Sequence, residues 1–244
     1  GITTIVFSPN TKKGNTVLGT EFHPLYGDGT ITDTLCGLQF RLSAPAFYQV
    51  NHAQAERLYE KAVQLAGLTG NETVLDLYCG TGTITLCLAR HAKKAIGVEI
   101  VPQAIEDAKF NAAQNGMENA EFFCMDAGQA AKMLADRRTR PDVIVVDPPR
   151  KGVSADVIEA ISAMAPQRVV YVSCDPATLA RDLKLLTAAG YTLQTAEAFD
   201  LFPRCAHVET VCLLSKLQGK EHIEIEVKMD ELDLTSAESK ATYE

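Results

Sequence analysis

Five segments of this 244-residue chain, 73–78, 94–99, 120–125, 142–147 and 168–173, are nearly continuous apolar runs, and stretches with helical spacing separate them. A strand that is apolar on both sides needs both sheet faces covered, so the pattern predicts parallel strands with helices packed on either side. Between the second and third runs, Ala104, Ile105, Ala108 and Ala112 fall on one helical face behind Pro102, which a first turn tolerates. Ahead of the first run, Leu58, Tyr59, Ala62, Val63 and Ala66 recur with the same spacing after a candidate cap, Asn51. A helix over 176–189, stopped by Gly190, follows the fifth run. Two more strand candidates, 191–197 and 208–214, have no helix between them and predict an antiparallel closing pair.

The first fifty residues read differently. Short strand candidates at 17–22, 29–32 and 38–42 are separated by glycine and polar turn signals, which describes a small β appendage. The expected division is therefore 1–50 as the remnant of a small β-rich domain, 51–219 as the main domain, and 220–244 as an acidic, truncated C-terminal extension. Within that extension, 223–227 alternates as a strand and 234–237 could cap a helix. Gly1 rather than Met at the start is expected of a fragment or a processed chain. The fold class expected is α/β, a Rossmann-like seven-stranded class I methyltransferase sheet with a small N-terminal β appendage.

Charge and cysteine usage narrow the classes. The formal charge is -8, yet residues 220–244 carry eight acidic and three basic side chains, so the rest is only mildly acidic and leaves room for a local basic patch. The seven cysteines are spaced by 43, 8, 37, 50, 31 and 7 positions, with no CxxC knuckle. That argues against a metal or an iron–sulfur cluster held by this chain, and reduced thiols are expected, with Cys79, Cys87, Cys124 and Cys212 among apolar neighbours. No apolar stretch of membrane length occurs, so the expectation is a cytoplasmic protein with no membrane association and no obligate protein partner.

A Gly-x-Gly at Gly80-Thr81-Gly82 follows the first apolar run and lets a ligand approach backbone amides. Alone it is equally a tight turn. Glu99 ends the second run 17 positions after Gly82, as a carboxylate accepting ribose hydroxyls would, and Asp126 follows the third, where it could flank an adenine. No third glycine completes a pyrophosphate fingerprint, and carboxylates suit a cationic, phosphate-free ligand, with Asp76 free to face an amino group. S-adenosyl-L-methionine is favoured over a dinucleotide.

Asp147-Pro148-Pro149-Arg150 ends the fourth run and Cys174 follows the fifth. Many amino-group methyltransferases place an aromatic where Arg150 stands, and the combination with a strand-end cysteine points to carbon chemistry on a pyrimidine. C5 of such a ring becomes nucleophilic once a thiolate has added at C6, and a base must later remove the C5 proton. Cys174 is the candidate nucleophile, activated by Arg150 or by helix amides after Pro176. Glu209, a carboxylate inside the apolar run 208–214, is the candidate base, with His207 competing. An ionised Asp147 would accept from uracil N3–H, which favours uracil over cytosine, and Arg150 could hold the ring's O2 side. As bland alternatives, Cys174 is an inert buried thiol and Arg150 a surface ion-pair partner.

These motifs, FYQVN at 47–51, DLYCGTGTITL at 76–86, GVE at 97–99, DPPRKG at 147–152, SCDPATLARDL at 173–183 and LFPRCAHVETV at 201–211, resemble the S-adenosylmethionine-dependent RNA 5-methyluridine methyltransferases, especially the 23S rRNA type. The resemblance spans about 37–214. It implies cofactor contacts from Gln49, Tyr78, Thr83, Glu99, Asp126 and Asp147, nucleophilic Cys174, basic Glu209 and an aromatic, Phe47, near a flipped target base. It also implies an RNA substrate, 23S rRNA, and an RNA-binding region preceding this chain. An RNA cytosine-C5 enzyme and a noncatalytic RNA-binding module are the other readings.

Overall fold

The computed structural model describes residues 1–11, 18–205 and 207–216. The appendage contains β1 (Ile5–Phe7), β2 (His23–Tyr26), β3 (Thr30–Leu35) and β4 (Leu38–Ser43). The main domain follows with α1 (His52–Ala66), β5 (Thr73–Asp76), α2 (Thr83–Ala89), β6 (Lys94–Glu99), α3 (Pro102–Gln114), β7 (Ala120–Cys124) and α4 (Ala127–Asp136). It closes with β8 (Val143–Val146), α5 (Ala155–Met164), β9 (Arg168–Ser173), α6 (Pro176–Ala188), β10 (Tyr191–Phe199) and β11 (Glu209–Lys216).

Seven strands form one sheet in the order β10-β11-β9-β8-β5-β6-β7. The five apolar runs pair in parallel, and β11 joins β9 and β10 antiparallel. This is the Rossmann-like seven-stranded class I methyltransferase sheet. All four side chains of β8 are buried, because one face of the sheet packs on Val145 with α1 and α2 and the other on Ile144 and Val146 with α4 and α5. Burying each such side chain is worth roughly 1.5–3 kcal/mol. The chain runs outward from β5 to β7, then returns to β8 on the other side of β5, so a crevice opens at the carboxyl ends of β5 and β8.

The appendage is docked through polar groups. The side chains of Asn111 on α3 and of Asn115, its C-cap, each bond the backbone of β4: Asn111 accepts from the Arg41 amide at 2.7 Å and donates to its carbonyl at 3.1 Å, and Asn115 does the same for Gln39 at 3.0 and 2.7 Å. Asp107, fully buried, takes the Ser43 amide at 2.9 Å, the Ser43 hydroxyl and the Arg41 guanidinium. Residues at i, i+4 and i+8 on one helix face thus satisfy the open edge of a strand, whose alternate amides would otherwise be exposed for pairing.

One sequence expectation for the first fifty residues is corrected. The strand expected at 17–22 begins instead at His23, where it pairs with Ile5–Phe7. Pro24 lowers the strand signal of that segment, but a two-stranded sheet is all edge and tolerates a proline. Residue 17 and the features read at 223–227 and 234–237 lie outside the described residues. Cys36 and Gly37 turn the β3–β4 hairpin with φ of 52° and 72°, the pair of positive values a two-residue turn of this hand demands.

Candidate active site

The glycine turn is held from below. Asp76 is 1% exposed, accepts the Thr85 hydroxyl at 2.6 Å and the Tyr78 amide at 3.3 Å, and burial pushes its carboxyl up to about 6. The expectation that Asp76 faces a ligand amino group is therefore corrected: both oxygens are turned inward to brace the start of α2. Gly82 caps α2 in the left-handed region at φ 84°, and a Cβ there would meet Phe122 at 3.1 Å and Ala108 at 3.2 Å. Asn111 also donates to the Thr81 carbonyl at 3.1 Å, so the residue that holds β4 holds the glycine turn as well.

Glu99 sits beside this turn. Its Oε2 accepts the Gly80 amide at 3.2 Å and its Oε1 the amides of Ile100 and Val101 at 2.8 and 3.0 Å. Asp126 is exposed and caps α4, accepting from Gly128 and Gln129 at 3.0 and 3.2 Å through Oδ1. Thr83 is half-buried at the start of α2 beside the Tyr59 hydroxyl, Tyr78 is half-buried just past β5, and Gln49 is 6% exposed. Of these groups Glu99 bonds Gly80 directly, and a Cβ built on Gly80 would meet nothing within 4 Å. Carboxylates, amides and hydroxyls without a basic side chain fit S-adenosylmethionine, a cation without phosphate, better than a dinucleotide.

A second cluster lies across the crevice. Cys174, Glu209, Arg150 and His207 line one cavity of about 460 Å³, closed on one side by Leu201, Phe202, Pro203 and Cys205. The antiparallel register pairs Thr210 with Ser173, which brings Glu209 and Cys174 to adjoining strand ends. Arg150 reaches the His207 ring at 3.4 Å. A larger groove of about 770 Å³, between the end of α3 and β7, opens at the opposite end of the strands and touches none of these residues.

Electrostatics correct two further expectations. Burial, then Glu209 and Asp147, push the Cys174 thiol above its usual 9.0, and the opposing pull of its backbone amide and Arg150 is smaller. The resting thiol is protonated rather than activated. Asp147 is half-buried, and burial, with Glu209 and Asp76 nearby, pushes it up to about 8, which favours its neutral form near neutral pH over the ionised form expected. Its hydrogen-bonding carbonyl oxygen remains an acceptor. Burial also raises Glu209, while Arg150 lowers it.

Phe47 is 76% exposed in the loop joining β4 to α1, so it is not core, and Asn51 ties the same loop to the Leu201 carbonyl at 2.9 Å. Cys124, expected among apolar neighbours, is exposed at the sheet edge. The sequence reading passed over Asp182. Fully buried on α6, it accepts the Tyr171 hydroxyl at 2.6 Å, the Val153 amide at 2.9 Å and Arg181 at 2.8 Å. Arg181 and Thr178 bond the carbonyls of Lys151 and Arg150 at 2.7 and 3.0 Å, so α6 carries the Arg150 loop on the element that follows Cys174. An aspartate in an otherwise amphipathic helix was the available signal.

The family model described as tRNA (Uracil-5-)-methyltransferase matches residues 31–217. The chain belongs to that family. It is 49% identical over 219 residues to an uncharacterized RNA methyltransferase of Lactiplantibacillus plantarum and 46% over 217 residues to one of Clostridium acetobutylicum, covering 89% of this chain in both cases. Only 48% and 47% of those proteins are covered, so the chain spans about half their length. Among solved structures, the Pyrococcus abyssi tRNA (uracil-54, C5)-methyltransferase in complex with S-adenosyl-L-homocysteine superposes with a TM-score of 0.71 at 29% identity, covering 88% of this chain and 51% of that one. The expected 23S rRNA type and 23S rRNA partner are overturned by these two findings, both of which carry transfer-RNA names. The motifs at 147–152, 173–183 and 201–211 read as chemistry on a uracil ring, which is the same ring in either RNA and so gives no signal for one RNA over the other. Among the described residues no helix is long and apolar enough to cross a membrane, and no three His, Cys, Asp or Glu side chains are grouped to hold a metal.

Proposed function

We propose that this protein methylates C5 of a uridine in RNA, with transfer RNA as the substrate class, S-adenosylmethionine as the methyl donor, and 51–219 as the catalytic domain carrying 1–50 as a docked β-rich piece. The observation that carries the reading is the meeting of Cys174 and Glu209 in one cavity beside Arg150 and across the crevice from the glycine turn. A cytoplasmic location accords with such a substrate.

Gln49, Tyr78, Thr83, Glu99, Asp126 and Asp147 hold the cofactor, which when bound supplies an electrophilic methyl group. Cys174, once deprotonated, adds through sulfur to C6, and the C5–C6 π electrons move onto C5 and O4 as an enolate. Arg150 and the neutral Asp147 offer hydrogen-bonding groups to the ring, and a protein donor near the enolate oxygen stabilises charge where it develops. After C5 has gained the methyl group, Glu209 removes the C5 proton, the C5=C6 bond re-forms and the Cys174 thiolate leaves. Phe47, exposed on the loop that Asn51 ties to the Leu201 carbonyl, provides a stacking surface for a base out of its helix.

The test is to incubate the protein with an unmodified transfer-RNA transcript and S-adenosylmethionine and to digest the RNA to nucleosides. 5-Methyluridine is expected, together with a protein–RNA adduct when uridine is replaced by 5-fluorouridine. RNA binding with neither product nor adduct would establish the noncatalytic alternative.

A further inference from the structure

Four non-glycine residues among those described have positive φ: Cys36, Arg138, Ala165 and Arg204. Cys36 turns a hairpin, Ala165 caps α5 and Arg138 directly follows the cap of α4. Arg204, at φ 71°, caps no helix and lies in the long connection of the β10–β11 hairpin, away from the paired strand ends. It occupies the third position of a tight turn in which the Cys205 amide donates to the Phe202 carbonyl at 3.2 Å and Pro203 supplies the second position. Proline followed by a positive φ is the type II arrangement, where glycine or asparagine sits without strain and arginine does not.

That turn forms one lip of the catalytic cavity. Phe202, Pro203 and Cys205 line it, and Arg204 between them does not, being exposed to solvent outside. Its guanidinium forms no hydrogen bond or ion pair with any described residue. Of the ionisable side chains lining the cavity, Arg150, His207 and Cys205 are exposed, while the acidic Glu209 is 5% exposed within it. Two arginines, Arg150 in the lining and Arg204 on the adjoining turn, thus stand at a partly apolar cavity on a chain whose formal charge is -8.

We propose that Arg204 binds a backbone phosphate of the RNA strand adjoining the uridine whose base enters the Cys174 cavity, a role that rests on the uracil-C5 reading above. A base drawn into a cavity leaves its sugar and phosphates at the lip, and the planar fork of arginine matches phosphate oxygens. The strained backbone is the means by which the turn points a long cation away from the base pocket while keeping Phe202 and Pro203 as its wall.

Arg204→Gly separates this role from a structural one, because glycine relieves the strain and a purely structural residue would show no loss of ligand. For Arg204→Gly, the dissociation constant for an unmodified transfer-RNA transcript should rise about tenfold and the slope of log affinity against log salt should fall by ~0.7, with S-adenosylmethionine affinity unchanged and the melting temperature unchanged or higher. Arg204→Lys should recover part of the RNA affinity. Wild-type RNA affinity and salt slope in Arg204→Gly overturn the proposal, as does a loss of RNA affinity that merely follows a lower melting temperature. If the unaltered protein forms no 5-methyluridine while Arg204→Gly shows the expected loss and slope, the phosphate contact stands and the uracil-C5 reading falls.

Discussion

Thr210 of β11 pairs with Ser173 of β9, and this single register position places the two proposed reacting groups, Glu209 and Cys174, next to each other at the sheet edge. A slip of β11 by one residue would turn Glu209 to the other face, away from Cys174. The closing antiparallel strand thus contributes directly to the chemistry, by returning the chain from α6 to the carboxyl end of β9.

The two groups should fail at different steps. Cys174→Ala is expected to keep S-adenosylmethionine affinity and to form neither 5-methyluridine nor a covalent adduct. Glu209→Gln should still add its thiol, lose efficient C5 deprotonation and accumulate protein joined to methylated RNA on a denaturing gel. Normal turnover by Glu209→Gln would move the base role to His207 or a water, and 5-methyluridine from Cys174→Ala would remove the covalent mechanism.

Because burial, Glu209 and Asp147 raise the thiol above 9.0, the thiolate fraction of Cys174 grows with pH through the whole neutral range. Adduct formation with 5-fluorouridine RNA should therefore accelerate by up to about tenfold per pH unit between 7 and 9. Arg150 opposes the shift, so Arg150→Ala should displace the profile to higher pH. A profile already flat at pH 7 would mean that the bound complex sets the thiol differently.

Asp147 links the site to stability. Its folded value of about 8 exceeds the ordinary 3.8, so between those limits the folded protein keeps a proton that the unfolded chain has released. Stability from this group must fall as pH rises from about 4 to 8 and level off above. Asp147→Asn should be more stable than the unaltered protein at pH 8, with the difference shrinking toward pH 4, as read by urea denaturation of the ligand-free protein.

Glu99 holds three backbone amides, those of Gly80, Ile100 and Val101. Glu99→Ala should weaken S-adenosylmethionine binding by roughly 1–3 kcal/mol, through the lost ribose bond and the loosened turn. Calorimetry giving unchanged affinity in a folded variant would sink this assignment.

The parallel core was legible because β5, β6, β8 and β9 are covered on both faces, and only an unbroken apolar run satisfies that burial; even the boundaries Lys94–Glu99 and Arg168–Ser173 coincide with the runs. β2, with its proline and four exposed residues, was not, since an edge strand in a two-stranded sheet carries little apolar signal. Residue type alone nominated Cys174, Glu209 and Arg150, because thiol, carboxylate and guanidinium at strand ends have few structural uses. Other properties depend on contacts that only the folded chain makes. Asp76 turned inward because Thr85 and the Tyr78 amide bind it, Cys174 is raised rather than lowered because burial, with Glu209 and Asp147, outweighs its backbone amide and Arg150, and Asp182 clamps the Arg150 loop from 29 positions away along the chain. Sequence determined which chemical groups stand at the ends of which strands; tertiary structure decided their charge, their partners and the direction they face, because burial and Coulomb interactions act through space and not along the chain.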